Sequence, residues 1–271
     1  MLENRYSTIR KKKSVAIIVT TYNQPNALNA VISSLKHQTH LPARIVIADD
    51  GSNHHTTSLI RRIIESDDRF LIQHAWQSDS AFRAARSRNL AMSKVSEEYI
   101  IFIDGDCLLP PRFVENHVRL AGRKLLVAGA RLLLEAKATS EVLYAGFDVS
   151  RKKAFIGRKF LTLPLGPLRL LFRRNWARVR TCNLGIHTED FLEIEGFDES
   201  YVGWGKEDSD LALRLLNAGI IIKDARYACC VAHLNHQVEP TDRLDINNKK
   251  LQKVIENNSI LYPAKSSLSL R

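Results

Sequence analysis

Short apolar runs alternate with helical patterns through the first hundred residues, and this alternation limits the possible folds more than any other feature of the sequence. Each run is rich in β-branched residues and has the length of a strand that is buried on both faces. The predicted strands span residues 15–20, 44–48, 70–74 and 99–103, and the predicted helices span residues 26–38, 59–64 and 82–94. Strands joined by helices in this order predict an α/β fold with a mostly parallel sheet flanked by helices.

Polar residues follow three of the four predicted strands. The first group is 20–23 (Thr-Thr-Tyr-Asn), the second contains Asp49 and Asp50, and the third contains Asp104 and Asp106. In open α/β sheets, ligands bind outside the carboxyl ends of the strands. We therefore expect a binding site at this edge of the sheet.

Asp104 and Asp106 form a DxD motif directly after a buried strand. Two carboxylates at this spacing can approach one divalent cation, and their hard oxygen ligands suit Mg²⁺ or Mn²⁺, either of which can bridge to a diphosphate. The alternative is an ordinary surface turn, since such turns are rich in Asp and Gly. The position after a buried strand favours the metal site.

The second half of the chain is less regular. Residues 125–136 and 219–231 predict further strands, and residues 188–195 and 208–218 predict helices. Before the second of these helices, Trp204 precedes Glu207 and Asp208, and an aromatic ring beside carboxylates suits a sugar ligand. The alternative role for Asp208 or Ser209 is to cap the helix. His233 and His236 follow the last β-rich run, either as metal ligands or as ordinary histidines.

The positive charge is concentrated in one segment. The chain has a net charge of +11, and residues 149–188 contain ten basic residues and no acidic one. The rest of the chain is nearly neutral, with 30 basic and 29 acidic residues. Such a segment could face nucleic acid, an anionic lipid surface or an acidic substrate, or it could be a solvated loop.

The cysteine spacing and the first residues predict the cellular compartment. None of the four cysteines has CxxC spacing, and the polar residues 1–13 lack the apolar core of a signal peptide. We therefore expect reduced thiols and a cytoplasmic location.

Five motifs, taken in order, resemble those of the inverting family 2 glycosyltransferases with the GT-A fold. They are residues 19–23, 48–52, 82–89 and 102–107, followed by residues 196–199 together with 203–208. The last motif resembles one that galactosyltransferases and chondroitin-type polymerases share. Lys206 departs from that motif, which usually has Gly at this position, so the preferred acceptor and sugar are not implied.

The resemblance implies a Rossmann-like GT-A domain over residues 14–236. Its nucleotide-binding half would span residues 14–124, and its acceptor-binding half would span residues 125–236. A basic N-terminal segment, 1–13, would precede the domain, and a C-terminal tail, 237–271, would follow it.

The resemblance also implies roles for individual residues. The nucleotide would be held by Thr21, Tyr22, Asn23, Asp49 and Asp50, with support from Arg83 and Arg88. A metal ion, Mn²⁺ or Mg²⁺, would be bound by Asp104, Asp106 and His233, with Asp104 also near the ribose. Asn183 and Trp204 would contact the sugar, Glu207 would bind a sugar hydroxyl, and Asp208 would be the general base.

The implied activity is metal-dependent, inverting transfer of a sugar from a UDP-sugar to a glycan or lipid-linked saccharide. The expected setting is bacterial lipopolysaccharide, capsule or another cell-surface polysaccharide. The basic segment would contact the inner face of an anionic membrane, and no nucleic acid is expected. Two alternatives stay open: a nucleic-acid-binding protein that uses residues 149–188, and a nucleotidyltransferase. The second would normally need a Gly-rich basic loop after the first strand, which residues 20–25 do not provide.

Overall fold

The computed structural model describes residues 14–66, 69–145, 175–236 and 241–269. Its strands are β1 (Val15–Thr21), β2 (Arg44–Asp49), β3 (Leu71–Trp76), β4 (Tyr99–Asp104), β5 (Cys107–Leu108), β6 (Leu125–Ala128), β7 (Ala130–Leu133), β8 (Asn183–His187), β9 (Ile221–Asp224) and β10 (Cys230–His233). Its α-helices are α1 (Pro25–Lys36), α2 (His54–Ser66), α3 (Ala84–Met92), α4 (Phe113–Leu120), α5 (Ala136–Ala145), α6 (Thr188–Glu193), α7 (Glu207–Asn217) and α8 (Leu244–Glu256).

A seven-stranded sheet in the order β3-β2-β1-β4-β8-β6-β9 forms the centre of the molecule. The four strands predicted from the apolar runs are its first four members, and β1 pairs in parallel with both β2 and β4. Strand β8 runs antiparallel to β4 and to β6, so the sheet is mostly parallel, as predicted. The register places Thr21 beside Asp49 and Thr20 beside Asp104, which brings the three polar groups to one edge.

The core lies on both faces of this sheet. Successive residues of β1 point to opposite faces, so Ile17 packs with Leu28 of α1, whereas Ile18 packs in a second cluster with Leu211 and Leu215 of α7. All of these side chains are fully buried. Burial of one such side chain stabilises the fold by about 1.5–3 kcal/mol. This two-sided burial is the reason the strands have continuous apolar runs.

A second, three-stranded sheet has the order β5-β10-β7. Strand β10 pairs antiparallel with β5, and His233 lies opposite Cys107. Because Cys107 directly follows Asp106, this pairing brings His233, from a distant part of the sequence, next to the DxD motif. The small sheet therefore positions His233 beside Asp106.

Residues 241–269 pack against the rest of the protein. Leu251 and Val254 of α8 are buried against Leu213 of α7. Further along, the backbone of Ser267 donates a hydrogen bond to Glu199 at 2.8 Å. The domain boundaries given above, including a tail that starts at residue 237, stay predictions.

Two predicted features fall partly or wholly outside the described residues. The N-terminal basic segment 1–13 lies outside them, as does most of the basic segment 149–188. Among the helices that the structure describes, none combines the length and apolar character needed to span a membrane.

Candidate active site

Asp106, His233 and His236 form a compact group of metal-ligating side chains. His233 Nε2 lies 3.5 Å from Asp106 Oδ1, and His236 Nε2 lies 3.1 Å from Asp106 Oδ2. One ligand atom from each residue lies within 4.8 Å of the others. Burial would raise the pKa of Asp106, but the hydrogen bond from His236 and the nearby His233 imidazole outweigh burial and lower that pKa. These interactions favour the ionised form of the Asp106 carboxylate, which faces the two imidazole rings.

The donor set fits a divalent transition-metal ion. Mg²⁺ prefers oxygen ligands alone, whereas imidazole nitrogen binds transition metals and carboxylate oxygen also suits Mn²⁺. His233 Nδ1 lies 2.9 Å from the carbonyl oxygen of Leu234, which fixes the ring and leaves Nε2 facing Asp106. One carboxylate and two imidazoles therefore fit Mn²⁺ better than Mg²⁺.

The sequence offered both His233 and His236 as possible metal ligands, but the ligand set that the resemblance implies contained Asp104 and not His236. The structure places Asp104 outside the compact group, with its Oδ1 3.2 Å from Arg88 Nη2. The available signal for His236 was its spacing of three residues from His233. Asp104 is therefore not part of this cluster, and its role as a metal ligand stays a prediction.

The buried side chain of Arg88 connects the two halves of the site. Its guanidinium contacts Asp104, donates to Thr20 Oγ1 at 3.1 Å, and lies 3.3 Å from Glu207 Oε1. Burial would lower the pKa of Arg88, but Asp104 and Glu207 outweigh burial and raise that pKa. Arg88 is thus a permanent positive charge between the end of β4 and the start of α7.

Asp208 is a carboxylate that titrates near neutral pH. Burial and the neighbouring charge of Glu207 raise the pKa of Asp208 to about 7, although Arg180 and Arg88 act in the opposite direction. The N-cap of α7 is Lys206 rather than Asp208 or Ser209, and no side-chain hydrogen bond caps the helix there. The capping role considered from the sequence is therefore not what the structure shows, and Asp208 is suited to accept a proton.

A cavity of about 260 Å³ lies beside the second polar group. It is lined by Tyr22, Asp50, Asp79, Ala81, Phe82, Gly203, Trp204, Asp242 and Arg243. Tyr22 Oη donates a hydrogen bond to Asp79 Oδ2 at 3.2 Å. The aromatic rings of Tyr22 and Trp204 are both partly exposed in this cavity, at 38% and 40%. The cavity joins the predicted nucleotide residues to the predicted sugar residue.

The carboxylate of Asp50 is held at the base of this region. It accepts hydrogen bonds from the backbone of Arg83 at 2.6 Å and from the side chain of Gln77. Burial raises the pKa of Asp50 in spite of these bonds. Thr21 Oγ1 and Arg83 Nε are buried and lack a hydrogen-bond partner among the described residues. A bound ligand would satisfy unpaired buried polar atoms of this kind.

Two predicted nucleotide residues are engaged by the protein itself. Asp49 is fully buried and accepts hydrogen bonds from the backbone of Ser52 at 2.8 Å and from His74 at 2.9 Å. Asn23 Oδ1 accepts a hydrogen bond from the backbone of Asn53 at 2.8 Å. These contacts shape the loop around Tyr22 and Asp50.

Asn183 is buried in β8, and its amide is engaged by the protein itself. Its Oδ1 is 3.0 Å from His117 Nε2, and its Nδ2 donates to the carbonyls of Ala130 at 2.8 Å and Cys229 at 2.9 Å. These contacts give its amide a structural role joining β8 to the small sheet. These hydrogen bonds do not support the prediction that Asn183 contacts the sugar, which stays a prediction.

Several residues that line the site were not predicted. Asp79 belongs to a polar turn after β3, and Asp242 and Arg243 come from the C-terminal segment. No local pattern marks them, because only tertiary packing brings them to Trp204.

Two family models match the sequence. The model described as glycosyl transferase family 2 matches residues 16–165, and that described as the N-terminal domain of galactosyltransferase matches residues 169–237. The first covers more than half of the chain. The chain belongs to glycosyl transferase family 2. The predicted resemblance is therefore confirmed, and the two matches meet within the basic segment.

Relatives of this family 2 chain include enzymes of polysaccharide synthesis. It is 26% identical to a validoxylamine A glucosyltransferase of Streptomyces hygroscopicus subsp. limoneus, over 76% of this chain and 48% of the relative. It is 26% identical to a hyaluronan synthase of Pasteurella multocida, over 77% of this chain and 23% of the relative. It is 30% identical to the succinoglycan biosynthesis protein ExoA of Rhizobium meliloti, over 76% of this chain and 59% of the relative. The chain spans about half the length of the first relative.

Solved structures confirm the predicted GT-A fold of this family 2 chain. The mannosyltransferase PcManGT from Pyrobaculum calidifontis, in complex with GDP-Man and Mn²⁺, aligns with a TM-score of 0.61 at 18% identity, over 93% of this chain and 69% of that one. S. aureus TarS aligns with a TM-score of 0.62 at 13% identity, over 90% of this chain and 40% of that one.

Proposed function

We propose that this family 2 chain is a metal-dependent, inverting glycosyltransferase that moves a sugar from a UDP-sugar to a saccharide acceptor. One observation carries the proposal: Arg88 links Asp104 of the DxD motif to Glu207, which directly precedes a carboxylate with a pKa near 7. A site for the donor phosphates and a base for the acceptor are thereby held together.

The proposed metal site is formed by Asp106, His233 and His236. When bound there, a divalent cation offsets the negative charge that develops on the leaving diphosphate. The solved complex of the mannosyltransferase with GDP-Man and Mn²⁺ supports a metal of this kind in the fold.

The proposed donor site is the cavity beside Asp50. Tyr22 offers a ring for stacking, and the buried Thr21 hydroxyl offers an unpaired polar atom. We infer that the donor nucleoside is uridine because residues 48–52 resemble the family's uridine-binding turn, and a truncated TarS was crystallised with UDP. The nucleotide roles of Asp49 and Asn23 are then indirect, through the loop that they stabilise.

The proposed base is Asp208. Its carboxylate removes the proton of the acceptor hydroxyl while that oxygen attacks the anomeric carbon from the face opposite the diphosphate. The new bond forms as the bond to the diphosphate breaks, so one displacement inverts the anomeric centre. An α-linked donor then gives a β-linkage, and no covalent enzyme intermediate is required.

The proposed setting is cell-surface polysaccharide synthesis, with a glycan or lipid-linked saccharide as acceptor. The names of the hyaluronan synthase and of the succinoglycan protein support such an acceptor. The alternatives of nucleic-acid binding and nucleotidyl transfer gain no support from the described site or from these relatives.

Release of UDP from a panel of UDP-sugars, measured with the full chain, tests this proposal. We expect release to require Mn²⁺, to stop with EDTA, and to be faster with Mn²⁺ than with Mg²⁺. GDP-mannose is the control for the nucleotide that the enzyme accepts. Full activity in EDTA would contradict the metal assignment, and release from GDP-mannose alone would contradict uridine.

A further inference from the structure

Part of the proposed donor cavity is formed by two residues directly before α8. Asp242 and Arg243 line the cavity together with Trp204. The two family matches end at residues 165 and 237, so neither match includes these two residues. Their place in the cavity is therefore a feature of this chain that the family matches do not explain.

The side chain of Arg243 lies against the backbone of Gly203. A Cβ at Gly203 would lie 2.9 Å from Arg243 Cβ and 3.0 Å from Arg243 Cδ, and the φ of Gly203 is +79°. A glycine adopts this conformation without strain and leaves room for the arginine. The aliphatic stem of Arg243 is thereby packed beside the residue that precedes Trp204.

Asn247 fixes the loop that carries Trp204. Its Nδ2 donates hydrogen bonds to the carbonyl oxygens of Val202 at 3.3 Å and of Gly205 at 3.0 Å, which lie on either side of Trp204 in the sequence. Asn247 is only 1% exposed, so water does not compete for these two bonds. The first turn of α8 therefore holds the loop, and the residue before that turn lines the cavity.

The polar lining of the cavity suits a neutral ligand that both donates and accepts hydrogen bonds. Among the described residues that line it, Asp50, Asp79 and Asp242 carry carboxylates, and Arg243 carries a guanidinium. Three carboxylates would repel a diphosphate. Ionised carboxylates only accept hydrogen bonds and a guanidinium only donates them. A uracil ring matches both, because its N3–H donates and its two carbonyl oxygens accept.

These observations deepen the proposed function, on which the inference rests. We infer that the start of α8 completes the uracil site: Arg243 donates to the O4 carbonyl of the base, and Asn247 positions Trp204 beside the base. Cytosine has an amino group, a hydrogen-bond donor, in place of this carbonyl. A guanidinium cannot accept from that amino group, so Arg243 selects uracil over cytosine.

Binding of UDP and CDP to the full chain, measured by calorimetry with Mn²⁺ present, tests the role of Arg243. The two ligands differ only in the base. R243M keeps an apolar stem against Gly203 and removes the hydrogen-bond donors. We expect R243M to bind UDP at least about tenfold more weakly than the wild type, and CDP equally well. R62M, which changes an exposed arginine of α2, should alter neither affinity.

Tryptophan fluorescence tests the role of Asn247. UDP should quench the fluorescence of the wild type and leave that of W204F nearly unchanged, which attributes the signal to Trp204. N247L removes both hydrogen bonds to the loop, so it should lose most of this quench and weaken UDP and CDP binding equally. The matched control is N217L, which removes a hydrogen bond from Asn217 of α7 to the carbonyl oxygen of Ile260. N217L should keep the full quench.

Several results would overturn the inference. An equal loss of UDP and CDP affinity in R243M would place Arg243 at the diphosphate, and unchanged UDP affinity would remove it from the site. A full quench in N247L, or in N247A if N247L does not fold, would contradict the role of Asn247. No quench in the wild type would place Trp204 away from the base. A wild type that does not bind UDP with Mn²⁺ would instead contradict the proposed function itself.

Discussion

At the scale of single residues, the Asp106 carboxylate lies between two imidazoles, and this arrangement predicts how metal affinity depends on each ligand. Replacement of His236 with Ala removes a ligand atom that lies 3.1 Å from Asp106. We expect the Mn²⁺ affinity of H236A to fall by at least tenfold, measured by electron paramagnetic resonance of free Mn²⁺. H55A, which changes an exposed histidine of α2, is the control. Unchanged affinity in H236A would remove His236 from the site.

The raised pKa of Asp208 predicts the pH dependence of transfer. Below its pKa of about 7 the carboxyl is protonated and cannot accept a proton, so kcat/KM should fall as the pH drops through 7. D208N should retain UDP-sugar binding and lose about 10²–10⁴-fold in kcat. R180Q should move the acidic limb of the pH profile upward, because it removes a positive charge that lowers this pKa.

The same carboxyl also predicts a change in stability. A folded-state pKa above the unfolded value means that stability is lost as the pH rises towards 7. D208N should therefore raise the unfolding temperature at pH 8 while it lowers activity, and E98Q, which changes an exposed glutamate, should do neither. A drop in both stability and donor binding in D208N would assign Asp208 a structural role.

At the scale of elements, β8 fits between β4 and β6 because Gly185 has no side chain. A Cβ at this position would lie 2.2 Å from Tyr99 Oη and 2.6 Å from His117 Nδ1, both of which are buried. We expect G185A to lower the free energy of unfolding by about 1–3 kcal/mol, measured by urea denaturation. In G122A the added methyl group meets only the end of the Leu125 side chain, so this control should cost less. Equal stability of the two variants would contradict the packing.

The elements differ in how far they could be predicted from the sequence. Strands β1 and β4 consist of residues that are buried on both faces, so their apolar runs are continuous and predict both their type and their place. Strand β8 contains Asn183, Gly185 and His187, whose burial depends on partners that are distant in sequence. Asp79 and Arg243 could not be predicted for the same reason, because only tertiary packing brings them to the cavity.

At the scale of the whole molecule, the two family matches correspond to two structural contributions. Residues 16–165 contribute the strand ends with Asp50 and Asp106, and residues 169–237 contribute Asp208 and the two histidines. Arg88 fixes these contributions to each other through Asp104 and Glu207. One buried cation therefore joins the proposed donor and acceptor sites. The two family matches meet within the basic segment.

That segment, residues 149–188, predicts reversible docking on an anionic membrane. Each basic residue near such a surface contributes about 1 kcal/mol, so a few are sufficient for binding. The leucines and aromatic residues of 160–176 would add shallow insertion, and Pro164 and Pro167 argue against one continuous helix. The competing arrangement has the leucines packed on the domain and the arginines in water.

Co-sedimentation with liposomes separates these two arrangements. Binding should require anionic lipid, weaken as salt screens the charges, and fall at least severalfold when Arg169, Arg173 and Arg174 are changed to Gln. These three positions leave Arg180 intact, so UDP release should not change. A matched triple change of Arg61, Arg62 and Arg69 removes the same charge from another region and should leave binding nearly unaffected. Equal binding to neutral vesicles, or none to anionic vesicles at low salt, would contradict electrostatic docking on a membrane.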